Sequence, residues 1–194
     1  MRYFEKLPER DVKLSFGLEG TIRELHIQDF DTILDLQNNH CIPREKELGQ
    51  EDWSRQLNKN ELMRILASGF ILGAFEKSTG KLMGYAAFYH LDPEQPVSYY
   101  AKQLNGYDQA LVAELKKPRV HPDFRGHQLS KALILRGIEI IKTRFTQIQA
   151  LVVALPMADI YSPTKFAMMS FEGTNITARN RAGKERRVYL YRIQ

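Results

Sequence analysis

The sequence predicts an α/β (α+β) domain with a mixed central sheet and flanking helices, and three observations carry that prediction. Strand-like and helix-like patterns alternate from about residue 21 to the end, without internal repeats or low-complexity segments. Two apolar runs, Phe70 to Glu76 and Leu82 to Leu91, flank the polar turn Lys-Ser-Thr-Gly-Lys and read as a hairpin. A strand-like segment, a long helical pattern and the fully apolar run Ala150 to Leu155 then follow in the order of a β-α-β unit.

Taken in order, Thr21 to Leu25 reads as the first strand, and Asp29 or Asp31 can cap a helix carrying Phe30, Ile33, Leu34 and Leu36. Residues 51 to 68 read as helical, with an apolar face of Trp53, Leu57, Leu62, Ile65 and Leu66 destined for the core. After the hairpin, Asp92 to Asp108 is long for a loop, so it is either partly helical or functional. Ala110 to Val120 reads as the fourth strand, with Pro118 marking a bulge or an unpaired position near its end. The next helix should bury Leu129, Ala132, Leu133, Leu135, Ile138 and Ile141. A helix from about Asp159 to Met169 and two strands, Thr174 to Arg179 and Arg187 to Tyr191, around Asn180-Arg-Ala-Gly183, complete the chain.

At 194 residues the chain is long enough for one domain with a sizeable core, expected over residues 21–194, while residues 1–20 read as an N-terminal extension without an assigned element. The single Cys41 excludes an internal disulfide, and no apolar run approaches the roughly 20 residues of a membrane span. With no signal-like apolar region in Met-Arg-Tyr-Phe-Glu-Lys, a cytoplasmic location is expected and a membrane partner is not. The net charge of +5 suits a polyanionic partner, which a phosphorylated cofactor and a nucleic acid both satisfy.

The run Val120-His-Pro-Asp-Phe-Arg-Gly-His-Gln-Leu-Ser130 lies between the fourth strand and the following helix. A strand-to-helix turn leaves the first helical N–H groups outside the ladder, pointing where the macrodipole favours negative charge, so this is a candidate phosphate cradle. Arg125 would add a rigid cationic fork and Gly126 a close approach or an unusual φ. Neither GxxxxGK[ST] nor GxGxxG is present. The run resembles the pyrophosphate loop of the GNAT family of N-acetyltransferases, V-x-P-x-[YF]-R-G-x-G-x-[GA], through Val120, Pro122, Phe124, Arg125 and Gly126. Gln128 and Ser130 differ from it. A later resemblance, to N-xx-[AS]-xxx-Y-xxx-G-F and Y-G-G-xx-R, rests on Ser162, Phe171, Gly183 and Arg186, with Asp159, Phe166 and Ser170 standing in for asparagine, tyrosine and glycine.

The resemblance implies a sheet splayed between its fourth and fifth strands, covering roughly residues 20 to 194, and acetyl-CoA as cosubstrate. It implies cofactor contacts from Arg119, Val120, Arg125, Gly126, His127, Gln128, Leu129 and Ser130, and from Asp159 and Ser162, where Asp159 is equally an ordinary helix cap. The chemistry it implies is direct attack of a primary amine on the thioester, which requires a base to make the amine neutral. Glu114 interrupts the apolar strand Leu111-Val-Ala-Glu-Leu115, a setting that strengthens a carboxylate as a base, and it lies eleven residues before Arg125, close to where histone-type members of the family place a catalytic glutamate. A strand glutamate paired with a lysine or facing solvent is the alternative. For the acid, the position usually holding tyrosine is Phe166, and Tyr161 reads as structural.

His26, His40, His90 and His121 show no metal-ligand spacing, so no metal is expected, and Cys41 reads as an inert thiol. Arg179, Arg181, Lys184, Arg186 and Arg187 read as a solvated hairpin that could line an acceptor site. The function expected is an acyl-CoA-dependent N-acyltransferase acting on an amine acceptor. A catalytically weak acyl-CoA-binding protein and, less favoured, a nucleic-acid-binding protein remain the alternatives, and a homodimer is left open.

Overall fold

The computed structural model describes residues 8–48, 57–92, 94, 97–157, 166, 168–179 and 184–193, with only the backbone of Lys117, Asn175 and Arg179. The chain divides into two compact units, one of residues 1–87 and 118–134, the other of residues 88–117 and 135–194. It passes from one unit to the other inside two strands and one helix.

The first unit holds β1 (Arg10–Lys13), β2 (Glu19–Leu25), β3 (Phe70–Glu76) and most of β4 (Leu82–Tyr89), in that order across the sheet. β1 and β2 pair antiparallel from Arg10↔Ile22 to Lys13↔Glu19, so the N-terminal extension contributes an edge strand that the sequence pattern does not announce. β2 pairs antiparallel with β3 from Gly20↔Glu76 to Leu25↔Ile71. Gly20, Ile22 and Glu24 share the buried face of β2, and Leu25, on the opposite face, is buried as well.

The chain enters α1 (Phe30–Asp35) through Asp29, whose Oδ2 accepts the His26 N–H at 2.8 Å and whose carboxylate takes both arms of Arg23 at 2.8 and 3.0 Å. Of the two candidate caps, Asp29 stands at the N-cap position of α1 without a side-chain bond into the helix, and Asp31 pairs with Lys59 at 2.7 Å. A π-helical turn, Leu36–Cys41, leads into α2 (Ile42–Glu47). α3 spans Lys59–Ser68, and residues 51–56 of the predicted helix lie outside the described residues. Its start is set by Asn58, whose Oδ1 accepts the Glu61 N–H at 2.9 Å while Glu61 Oε2 accepts the Asn58 N–H at 3.2 Å, a reciprocal cap that leaves Leu57 outside α3. Leu57 is buried all the same, its N–H and carbonyl both engaged by the Gln37 amide at 3.0 and 3.1 Å. Trp53 lies outside the described residues.

The second unit holds most of β5 (Val112–Val120), then β6 (Ala150–Pro156), β8 (Glu185–Arg192) and β7 (Glu172–Arg179) across the sheet. β5 starts two residues later than expected because Asp108 Oδ1 accepts the Ala110 N–H at 3.1 Å and turns Gln109–Leu111 into a 3-10 helix. β5 and β6, the fourth and fifth strands of the sequence reading, run parallel with registered pairs from Val112↔Ala150 to Glu114↔Val152. Beyond those pairs β6 continues on β8, from Val153↔Tyr189 to Pro156↔Arg186. The strands are thus mostly antiparallel with one parallel pair, as the fold class predicts.

The long segment before β5 is partly helical, with a 3-10 turn at Ala101–Gln103, and Ala101 and Leu104 pack on Val112, Val152, Val188 and Leu190. α4 (Leu129–Arg144) spans both units. In the second, Ile138 and Ile141 are buried, whereas Leu135, expected in the core, is 39% exposed. Gly137 is required by packing: a Cβ there would lie 1.9 Å from Cζ of the fully buried Phe88. Of the predicted helix from Asp159 to Met169, only Phe166, Met168 and Met169 are described.

Candidate cofactor and catalytic site

The loop after β5 is built within the first unit. The His121 N–H donates to Met83 O at 2.8 Å, and a 3-10 turn at Pro122–Phe124 then reverses the chain, closed by Phe124 N–H to His121 O at 3.0 Å and Arg125 N–H to Pro122 O at 3.2 Å. His121 Nδ1 caps this turn by accepting the Asp123 N–H at 3.2 Å. Gly126 and Gln128 both have left-handed backbones, with φ of +88° and +60°. A Cβ at Gly126 would meet open space, so the backbone conformation rather than crowding is what favours glycine.

α4 begins immediately afterwards, and its first backbone bond runs from the Ala132 N–H to Gln128 O at 3.1 Å. The N–H groups of Leu129, Ser130 and Lys131 precede that bond and lie outside the helical ladder, at the positive end of a sixteen-residue helix. Leu129 is 2% exposed and anchors this end in the core, while Arg125, Gly126 and Gln128 face solvent. Unladdered N–H groups at a helix start, with an exposed guanidinium in the loop before them, are the donors that a phosphate requires. The residues present fit the pyrophosphate of CoA.

The predicted contacts divide by what their side chains already do. Arg119 is buried and its Nη1 lies 3.1 and 3.3 Å from the two oxygens of buried Glu45, so its guanidinium is committed to that pair rather than presented to a cofactor. Val120 O accepts the Cys41 thiol and Arg125 Nε–H, each at 3.5 Å. His127 Nδ1 lies 2.9 Å from Ser15 O, which ties the loop to the turn between β1 and β2. Gln128, Leu129 and Ser130 offer backbone N–H groups. Asp159, Ser162 and Tyr161 lie outside the described residues. Phe166, at the position where the family has tyrosine, is buried against Phe171 and Tyr189, with ring centroids 5.0 and 6.4 Å away.

Glu114 belongs to the second unit and is 8% exposed. Among the described residues two hydroxyls meet its carboxylate: Tyr89 Oη donates to Oε1, and Ser98 Oγ donates to Oε2 at 2.6 Å. Ser98 is fully buried, and its Oγ also accepts the N–H groups of Tyr100 at 3.2 Å and Ala101 at 3.4 Å. Sequence reasoning missed both hydroxyls. The one pointer to Ser98 was the length of its loop; Tyr89 is the last residue of β4, followed by His90, which has a φ of +59° and a ring 4.7 Å from that of Tyr89 with 41° between planes.

Cys41 is fully buried, and burial pushes its thiol up to about 11, which fits an inert group. His121 is buried with its Nε2 unpaired, and its ring lies 4.3 Å from that of His40. Burial, followed by the charges of Lys81, His40 and Arg125, lowers His121 below the usual imidazole range against an opposing pull from Asp123. Arg186 corrects the picture of a wholly solvated basic hairpin, since it is 8% exposed, whereas Lys184 and Arg187 are exposed. Arg181 lies outside the described residues. No helix among the described residues is long and apolar enough to cross a membrane.

The model of the acetyltransferase (GNAT) family matches residues 27–159. Solved structures with a similar fold include a GNAT-family acetyltransferase from Listeria monocytogenes (TM-score 0.70, 18% identity, covering 94% of this chain and 99% of that one). The GNAT domain of PAT from S. lividans is also similar (TM-score 0.67, 13% identity, 95% of this chain and 96% of that one). So is yncA from Salmonella typhimurium, solved with its cofactor acetyl-CoA (TM-score 0.62, 18% identity, 90% of this chain and 94% of that one). No curated protein matches the chain. With a family match spanning well over half of its length and a fold to agree, the chain belongs to the GNAT family of acetyltransferases.

Proposed function

We propose that the protein transfers an acetyl group from acetyl-CoA to a primary amine by direct attack. The observation that carries this reading is the start of α4, where Gly126 and Gln128 turn left-handed and the N–H groups of Leu129, Ser130 and Lys131 precede the first helical bond, a few residues after exposed Arg125. Those groups would hold the pyrophosphate, with Arg125 supplying charge and its position fixed in part by Val120 O. In the reaction the neutral amine nitrogen bonds to the thioester carbonyl carbon, the C–S bond breaks, CoA leaves as thiolate, and the proton shed by the acylated nitrogen passes to that thiolate or to water. Glu114 takes the proton that the ammonium must lose before it attacks. Phe166 brings no proton, and a thiolate is a tolerable leaving group without a dedicated acid.

A catalytically weak acyl-CoA-binding protein is the second reading, favoured by the two hydroxyls that already occupy Glu114. Two measurements separate the readings. Acetyl-CoA should raise the melting temperature by an amount set by its concentration relative to Kd, and Arg125→Glu should remove most of that shift. An unchanged shift in a folded Arg125→Glu variant would refute the placement of the cofactor. A screen of amines with detection of free thiol should then find an acceptor, for which Glu114→Gln lowers kcat by about 10²- to 10⁴-fold with CoA affinity nearly unchanged. A defect that shrinks as pH rises identifies a base; CoA binding without thiol release from any amine supports the second reading.

A further inference from the structure

The turn between β1 and β2 presents an aromatic ring to solvent beside the phosphate cradle, and we infer that this ring, Phe16, is a stacking platform for the adenine of acetyl-CoA. The inference rests on the cofactor placement proposed above. Phe16 is 89% exposed, more than any other large apolar residue described in the protein. It also has a left-handed backbone, φ +61° and ψ +30°, followed by Gly17 at φ +75°. Hairpin turns with two successive left-handed residues normally use Asn-Gly or Asp-Gly, because a bulky side chain is disfavoured at the first of them. Here Phe-Gly stands in that place. An exposed ring adds nothing to the core that would offset the disfavoured backbone, so its use lies outside the fold.

The neighbours of Phe16 identify that use. His127, within the cradle loop, packs edge-on against the Phe16 ring with centroids 5.6 Å apart and 86° between planes, while its Nδ1 is 2.9 Å from Ser15 O. The turn is closed on itself by Leu14 N–H to Leu18 O at 2.8 Å. The hairpin tip is therefore held against the loop, two residues from Arg125, with one face of the ring left open. CoA continues from its pyrophosphate into a ribose and an adenine, so a ligand seated on the loop carries a flat π surface within reach of such a ring. Stacking on one aromatic face needs no particular hydrogen-bond pattern and suits a purine. A single ring between Ser15 and Gly17 is too small an apolar area for a protein partner.

The test compares acetyl-CoA with S-acetyl-4′-phosphopantetheine, which lacks the adenine nucleotide and keeps one phosphate of the pyrophosphate, using calorimetry on the full chain. Phe16→Ala should weaken acetyl-CoA about fivefold or more and leave acetyl-phosphopantetheine unchanged, while Phe16→Trp should retain acetyl-CoA affinity. The melting temperature of ligand-free Phe16→Ala should not fall, because the ring contributes little to the core. Equal acetyl-CoA affinity in wild type and Phe16→Ala would overturn the stacking role alone. Equal losses for both ligands would overturn it too, by showing that Phe16 acts through the loop. A wild-type protein that binds neither ligand would refute the cofactor placement and this inference with it.

Discussion

Gln128 occupies a position where the family loop normally has glycine, and Gln128→Gly tests whether the departure costs stability and cofactor affinity. Its φ of +60° places an L-residue in the left-handed region, a conformation that costs roughly 1–2 kcal/mol. Glycine removes that cost but loses about 0.5–1 kcal/mol more backbone entropy on folding. The position precedes α4, so the lower helix propensity of glycine does not enter, and the net expectation is a gain of about 0.5 kcal/mol. At this chain length about 1 kcal/mol moves the melting temperature by roughly 2–4 °C, so scanning calorimetry should find a rise of about 1–2 °C without ligand. The exposed glutamine side chain also loses rotamer freedom when a ligand seats over it, a cost of about 0.5–1.5 kcal/mol. Titration calorimetry should therefore show acetyl-CoA binding about 2- to 10-fold tighter. A melting temperature several degrees lower would show that the side chain holds the loop together. Weaker binding would show that Gln128 is itself a ligand, and either result refutes the reasoning.

Gly137→Ala should lower stability by at least about 1–3 kcal/mol in a denaturant titration, because its Cβ would fall 1.9 Å from buried Phe88; a neutral outcome would mean that ring has room to move. Cys41, buried with its thiol pushed up to about 11, should resist a disulfide reagent at pH 8 in the native protein and react fully in denaturant, so rapid native reaction would contradict its burial. His121 is lowered by burial, by Lys81, His40 and Arg125, and opposed by Asp123, so the native state binds fewer protons than the unfolded chain as pH falls below the ordinary imidazole value of about 6.5. Its contribution is full above that pH and lost as pH falls through the lowered native value. His121→Asn keeps an acceptor for the Asp123 N–H and should flatten the stability profile there, whereas parallel profiles would assign the slope to other groups.

Much of the fold was legible because its elements carry local signals. Leu82 to Leu91 and Ala150 to Leu155 are continuous apolar runs, and β4 and β6 follow from them. A boundary moved where a side chain overrode the apolar pattern, at Asp108 ahead of β5. β1 escaped because Arg10–Lys13 is short and polar, and an edge strand of that kind owes its existence to pairing with β2 rather than to its own composition. In the cradle, the family pattern located Gly126 and Gln128, yet only the backbone reveals that both are left-handed and that Gln128 therefore sits in a conformation suited to glycine.

Glu114 shows why a chemically suggestive residue can be found in sequence while its environment cannot. One carboxylate in an apolar strand is a local pattern; its partners, Tyr89 and Ser98, lie 25 and 16 residues away and are brought to it by strand pairing and an irregular loop. The two hydroxyls are not equivalent. Ser98 Oγ already accepts two backbone N–H groups while donating to Oε2, so its hydrogen-bonding capacity is filled and its orientation is fixed. Tyr89 is only half-buried, and a phenol can accept as well as donate. A proton taken up by the carboxylate would therefore be accommodated on Oε1, with Tyr89 turning from donor to acceptor, while Oε2 keeps Ser98. If Glu114 is the base proposed above, Ser98 holds its carboxylate in one orientation while the proton arrives.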